Sequence, residues 1–199
     1  MLLRDKTQDR HSGVLMAVSS LPSPYGIGSF GIEAYKFVDF LRDAQQHFWQ
    51  ILPLNTLGEG NSPYKSPSAF AGEMLYIDID FLLRDGYLEA SDLKDVDFPK
   101  NVDYKIAREF KIPLLEKAVK NFDADNKNYR KFCTENSFWL DDYARYSTAL
   151  EIYNAKDITE LPDGFKYKIP DFMGVFKQKY ADKINFYKVT QYFFFCQYF

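Results

Sequence analysis

Cysteine, histidine and any surplus of one charge are what this chain has least of. Only Cys133 and Cys196 occur among 199 residues, and they lack CxxC spacing. That excludes a disulfide framework and a thiolate zinc site, and it suits a reducing cytoplasm. The two histidines, His11 and His47, lie far apart with no motif around them, so neither a metal centre nor a catalytic triad is expected. A formal net charge of -3 with 27% charged residues gives no field that would recruit nucleic acid or an anionic membrane. No window reaches membrane-spanning length, and Met1-Leu2-Leu3-Arg4-Asp5-Lys6 lacks the apolar centre of a secretory signal. No phosphate loop marks a cofactor site and no cofactor is expected; an internal repeat and a low-complexity tract are also missing.

What the chain does have is apolar and aromatic mass. Hydrophobic residues make up 46% of it, enough for a domain with a sizeable core. The 18% aromatic content is high, and two readings compete for it. Rings can serve as platforms for pyranose faces, but most recur here at helical or strand spacing, as core filler does.

The run Gly13-Val14-Leu15-Met16-Ala17-Val18 is continuous, as in a strand covered on both faces. Prolines and glycines then shape a loop over Leu21 to Gly28. A helix is expected after Ser29 as N-cap, carrying Ala34, Phe37, Val38, Leu41 and Ala44 on one face. A second buried strand is expected over Phe48 to Leu54, followed by a decorated loop from Asn55 to Gly72. Strand, loop, helix and parallel strand make a βα unit, whose loops at the strands' carboxyl ends are where such folds place their sites. Alternation puts Asp78 and Asp80 on one strand face opposite Ile77 and Ile79. Residues 81–103 read as a polar excursion. Helical stripes follow over Ile106 to Ala118, despite Pro113, and over Phe138 to Tyr153. Lys156 to Asp171 reads as a loop, and a single last helix is expected from Met173 through Phe199. The apolar run 191–199 has no C-cap, so a longer protein is expected to continue from there.

Three blocks carry a family resemblance through their order and spacing. They are Arg10-x-x-Gly13-Val14 through Ser20-Leu21-Pro22-Ser23-Pro24-Tyr25-Gly26-Ile27-Gly28, then Trp49-Gln50-Ile51-Leu52-Pro53-Leu54, then Ser62-Pro63-Tyr64-x-Ser66-x-Ser68-Ala69-Phe70-Ala71-Gly72. Weaker echoes are Val102-Asp103-Tyr104, Trp139-Leu140-x-Asp142-Tyr143-Ala144 and Gln191-x-x-Phe194-x-x-Gln197. Together they resemble the opening of the amylomaltases, the 4-α-glucanotransferases of glycoside hydrolase family 77. The resemblance implies an α/β chain forming the N-terminal part of a (β/α)8 TIM barrel with a helical inserted subdomain. Residues 1–80 would supply the first βα units, and 81–199 a mainly helical insertion leading back to the barrel. The implied activity is retaining transfer of α-1,4-glucan segments between maltooligosaccharides.

Ser62 and Tyr64 are the candidate substrate-binding residues. A rigid turn at a barrel mouth suits the holding of a sugar while its anomeric carbon reacts, and Pro63 limits the drift of that turn. The alternative is a structural turn in which the Ser62 hydroxyl caps backbone and Tyr64 packs. The family pattern, where this turn lines the donor side of the cleft, favours binding. Several positions depart from that pattern: Gln45-Gln46 stands where a glycine commonly ends the first helix, Glu59 where some relatives have tyrosine, Glu73 for the usual asparagine and Tyr198 for tryptophan.

Retaining transfer needs two carboxyl groups about 5 Å apart. In amylomaltases these lie beyond the stretch this chain resembles, so no catalytic residue is assigned within it. The local pairs Asp39 and Asp43, Asp78 and Asp80, and Asp141 and Asp142 have no motif that would split their pKa values. The chain alone is therefore expected to be inactive. An α-glucan hydrolase of the same barrel class and a non-catalytic carbohydrate-binding module are the competing readings. The sequence leaves the oligomeric state open.

Overall fold

The computed structural model describes residues 11–199. Two short strands, β1 (Gly13–Leu15) and β2 (Phe48–Gln50), pair in parallel with Val14 opposite Trp49. Between them runs α1 (Ile32–Asp43), so strand, loop, helix and parallel strand follow in the expected order. Both strands are shorter than the apolar runs that announced them. After Leu15 the chain continues irregularly into a 3-10 turn at Val18–Ser20. Past Gln50 no further pairing continues, although Met16 N–H still donates to the Gln50 carbonyl at 2.9 Å. The strands are also not covered on both faces, since Leu15 and Phe48 are 58% and 59% exposed.

The start of α1 differs from expectation for a specific reason. Gly31, not Ser29, occupies the N-cap, because the Ser29 hydroxyl donates 2.7 Å to Asp78 Oδ2. A side chain on Gly31 would collide with that same carboxylate. Of the expected stripe, Ala34 and Leu41 are buried, while Val38 is exposed.

Seven more helices follow: α2 (Ile79–Arg84), α3 (Tyr104–Asn121), α4 (Lys127–Glu135), α5 (Ser137–Tyr153), α6 (Asp163–Lys166), α7 (Pro170–Lys179) and α8 (Ala181–Tyr198). The expected strand face at Asp78 and Asp80 is absent. Asp78 instead caps α2, its Oδ1 accepting from Phe81 N–H at 3.1 Å, and Asp80 lies in the first turn. A carboxylate that can cap a helix start outweighs two-residue alternation. The single last helix is two, broken at Tyr180, and α6 interrupts the expected loop before them. The N-terminal helical turns of α3 and α4 are each capped through two backbone N–H groups, by Asp103 and Asn126.

One hydrophobic core crosses the boundary at residue 80. Val18, Leu21, Ile27, Leu75, Ile77 and Ile79 pack with Leu115 and Ala118 of α3 and with Val189, Phe193 and Phe194 of α8. A smaller cluster joins Ala71 to Trp139, Leu140 and Tyr143 of α5. Helix α8 thus lies against both the strand–loop segment and the helical region, and it fixes where the loop after β2 sits.

Candidate functional site

The loop from Asn55 to Gly72 leaves the carboxyl end of β2, and its neck is a short antiparallel approach. Asn55 bridges Gly72, Thr56 N–H donates to the Ala71 carbonyl at 3.1 Å, and Glu73 N–H donates to the Leu54 carbonyl at 2.9 Å. Beyond the neck, serines bond backbone within the loop itself. Ser68 Oγ accepts from Phe70 and Ala71 N–H, and Ser66 Oγ donates to the Ser68 carbonyl. Two serines flanking Pro67 thereby shape the turn without regular structure.

Ser62, Pro63 and Tyr64 stand at the tip. Ser62 Oγ accepts from Tyr64 N–H at 3.3 Å as N-cap of a 3-10 turn whose first residue is Pro63. The Ser62 hydroxyl therefore does what the structural reading required of it. Tyr64 does not: its ring is 74% exposed rather than packed. A tyrosine on a proline-containing turn with its face in solvent is an apolar platform with a polar handle, suited to a sugar ring. Glu59, at the tyrosine position of some relatives, is exposed and pairs with Lys65 at 3.3 Å.

Beside the loop lies a groove of about 620 Å³ lined by Phe70, Phe138, Trp139, Tyr192 and Phe199. Phe138 is 70% exposed and meets Phe70 edge-on at 5.2 Å, while Phe70 stacks on Trp139 at 6.1 Å. Phe70 belonged to a motif singled out in the sequence, but its neighbour Phe138 was legible only as one position of a helical stripe.

The loop is anchored below by a buried stretch, 71–79, that is neither strand nor α-helix until its last residue. Buried backbone groups must find partners, and here side chains supply them. Gln191 of α8 accepts from Gly72 N–H at 2.7 Å and donates to the Gly72 carbonyl at 2.9 Å. Gln197, six positions further along α8, treats Asp78 in the same way, at 2.6 and 3.1 Å. Glu73, fully buried, accepts from Leu57 N–H at 2.8 Å and from Leu75 N–H at 3.2 Å, with Arg108 at 3.7 Å. Lys111 of α3, also fully buried, donates to the Leu75 carbonyl at 2.6 Å. Desolvation lowers the Lys111 ammonium to about 8, against the pull of Asp78, Glu73 and Asp80. Tyr143, pushed up to about 12 by burial, meets Thr56 Oγ1 at 3.2 Å from the α5 side.

The carboxylate pairs considered in the sequence lie in surface or capping positions. Asp39 and Asp43 both engage Arg42, and Asp141 and Asp142 both engage Arg145. His11 and His47 come together, their ring centroids 4.7 Å apart at the amino ends of β1 and β2, away from the loop. Among the described residues no cluster of three or more metal-binding side chains occurs. Nor is any helix among them long and apolar enough to cross a membrane.

A family model described as 4-alpha-glucanotransferase matches residues 16–199. The chain is 47% identical to the 4-alpha-glucanotransferase of Streptococcus pneumoniae serotype 4 over 194 residues, covering 94% of this chain and 38% of that protein. With the 4-alpha-glucanotransferase of Clostridium butyricum it shares 37% identity, covering 92% of this chain and 38% of the relative. Its fold superposes with a TM-score of 0.89 on the amylomaltase of Streptococcus agalactiae solved in complex with acarbose, at 40% identity, covering 96% of this chain and 40% of the other. The chain therefore spans about two fifths of the length of the relatives it matches. With a match running from Met16, just past β1, to Phe199, this chain belongs to the 4-alpha-glucanotransferase family, glycoside hydrolase family 77.

Proposed function

We propose that the protein containing this chain transfers α-1,4-glucan segments between maltooligosaccharides, and that this part holds substrate while catalytic carboxylates come from residues it does not include. The observation that carries the reading is the match to 4-alpha-glucanotransferases along nearly the whole chain. The parallel β1–α1–β2 unit, with its long loop at the carboxyl end of β2, fits the opening of a (β/α)8 barrel. In that setting, residues 1–80 start the barrel and 81–199 are a helical insertion packed back onto it through α8.

Tyr64 then offers its exposed face to a glucose ring, and the Phe70 and Phe138 groove extends the same apolar track. Ser62 contributes by holding the turn, with one hydroxyl lone pair remaining for a sugar hydroxyl. The chemistry requires a nucleophilic carboxylate and an acid–base carboxyl about 5 Å apart, so that a glycosyl ester forms and is then passed to a sugar hydroxyl. Both thiols of the chain are free, which suits the reducing cytoplasm where we place the enzyme.

Product analysis of the full-length protein incubated with maltotriose tests this. Glucose together with oligosaccharides longer than the substrate supports transfer. Shorter products alone would assign the protein to hydrolysis, and glucan binding without turnover would make it a binding module.

A further inference from the structure

Tyr64 is largely exposed, so its ring gains little support from packing and its position depends on the backbone of the loop that carries it, which enters and leaves through the neck. Two buried side chains grip that neck. Gln191 bonds both the N–H and the carbonyl of Gly72, at the loop's carboxyl end. Glu73 bonds Leu57 N–H, near its amino end, while its own N–H holds the Leu54 carbonyl. Gly72 is also pressed against the Phe194 ring, where an added Cβ would lie 2.2 Å from the nearest ring atom. The neck thus cannot shift toward α8, and the glutamine prevents it from lifting away.

Resting on the glucan-transfer reading above, we infer that Gln191 is a positioning residue for substrate, acting through Gly72 to fix where Tyr64 presents its ring. Helix α8 carries its own internal comparison. Gln197 makes the same two-bond grip on Asp78, which leads into α2 and not into the loop. Both glutamines satisfy otherwise unpaired buried peptide groups, so both contribute to stability. Only the Gln191 grip lies on the loop that carries Tyr64.

The test is a double-mutant cycle in the full-length protein with maltotriose as donor, using Gln191→Met, Tyr64→Ala, the combination and Gln197→Met. Loss of binding shared by ground and transition states raises KM while kcat is kept. Gln191→Met is expected to raise KM roughly fivefold, the equivalent of about one neutral hydrogen bond. In the double variant the increase should stay close to that of Tyr64→Ala alone, because a misplaced ring and a missing ring lose the same contact. Gln197→Met should lower the melting temperature comparably and leave KM unchanged. Should Gln191→Met fold poorly, Gln191→Asn keeps a neutral amide on a side chain one carbon too short to reach Gly72 as before, and allows the same comparison. KM increases that multiply in the double variant, or a Gln197→Met that raises KM as much as Gln191→Met, would overturn the positioning role alone. An unchanged KM in Tyr64→Ala would overturn both this inference and the assignment of Tyr64 to substrate, whereas absence of longer products from the wild type would overturn the transfer reading itself.

Discussion

Lys111 illustrates how far a single residue in this chain can depart from what its type suggests. Its position on the α3 stripe, between Phe110 and Leu114, places it in the core, and the Leu75 carbonyl of a buried irregular segment gives it a partner. Because the ammonium is desolvated, its folded pKa of about 8 lies below the ordinary lysine value of 10.5. The unfolded state therefore binds more protons between those two values, and Lys111 makes the fold more stable as pH rises through that window, the cost of burying its charge being greatest below pH 8. Equilibrium urea unfolding of wild type and Lys111→Met checks this, since the many tyrosines titrate alike in both. The stability of the wild type relative to the variant should rise by about 2 kcal/mol between pH 7.5 and 10. A pH-independent difference would mean that folded Lys111 keeps its proton across the window, as an unfolded lysine does. No pattern in the sequence announces such a lysine, because hydrophobic periodicity counts it as a polar interruption. Ser62 and Tyr64, in contrast, were legible as a proline-stiffened turn, although which of the two would face solvent depended on packing that no local motif encodes.

At the scale of elements, the end of α1 shows a local rule broken and the consequence left in place. Gln45 follows the helix with φ of 56°, the left-handed conformation that glycine adopts without strain, and its side chain is exposed. Gln45→Gly is expected to stabilise the fold by about 1 kcal/mol through relief of that strain. Thermal unfolding measures it, and a lowered melting temperature would show that the side chain contributes more than the backbone loses. Helices whose apolar stripe faced one partner, such as α5, were readable from spacing. Strand lengths were not, because 13–18 and 48–54 are equally apolar whether paired or merely packed. The stretch 71–79 was misread as strand at Asp78 and Asp80 for a related reason. Its backbone partners are side chains distant in sequence, Gln191, Gln197 and Lys111, so the hydrogen bonds that define its path leave no local periodicity. The Gln191-x-x-Phe194-x-x-Gln197 spacing was visible as a family echo, but its purpose became visible only with Gly72 and Asp78 beside it.

For the molecule as a whole, α8 is the member that ties the strand–loop segment to the helical region. It packs into the core shared with α3, reaches α5 through the cluster around Trp139, and holds the buried segment below the loop. Resemblance to amylomaltases was carried by three blocks, all within the first strand–loop units, yet the structural similarity extends over the later helices as well. In the proposed barrel, further strands would cover Leu15 and Phe48, and the Asn55–Gly72 loop would face the cleft. The loop's tip has few backbone bonds, the 3.3 and 3.4 Å contacts from Tyr64 and Lys65 N–H being long, so its amides should exchange quickly when unliganded. Those of 71–79, buried and held by side chains, should exchange slowly. Hydrogen exchange of the full-length protein with and without maltoheptaose therefore shows whether this loop holds the glucan. The account predicts slowed exchange across Ser62 to Phe70 on binding, with 71–79 already protected and unchanged. Saturating oligosaccharide that slows exchange elsewhere but leaves Ser62 to Phe70 as fast as before would contradict it.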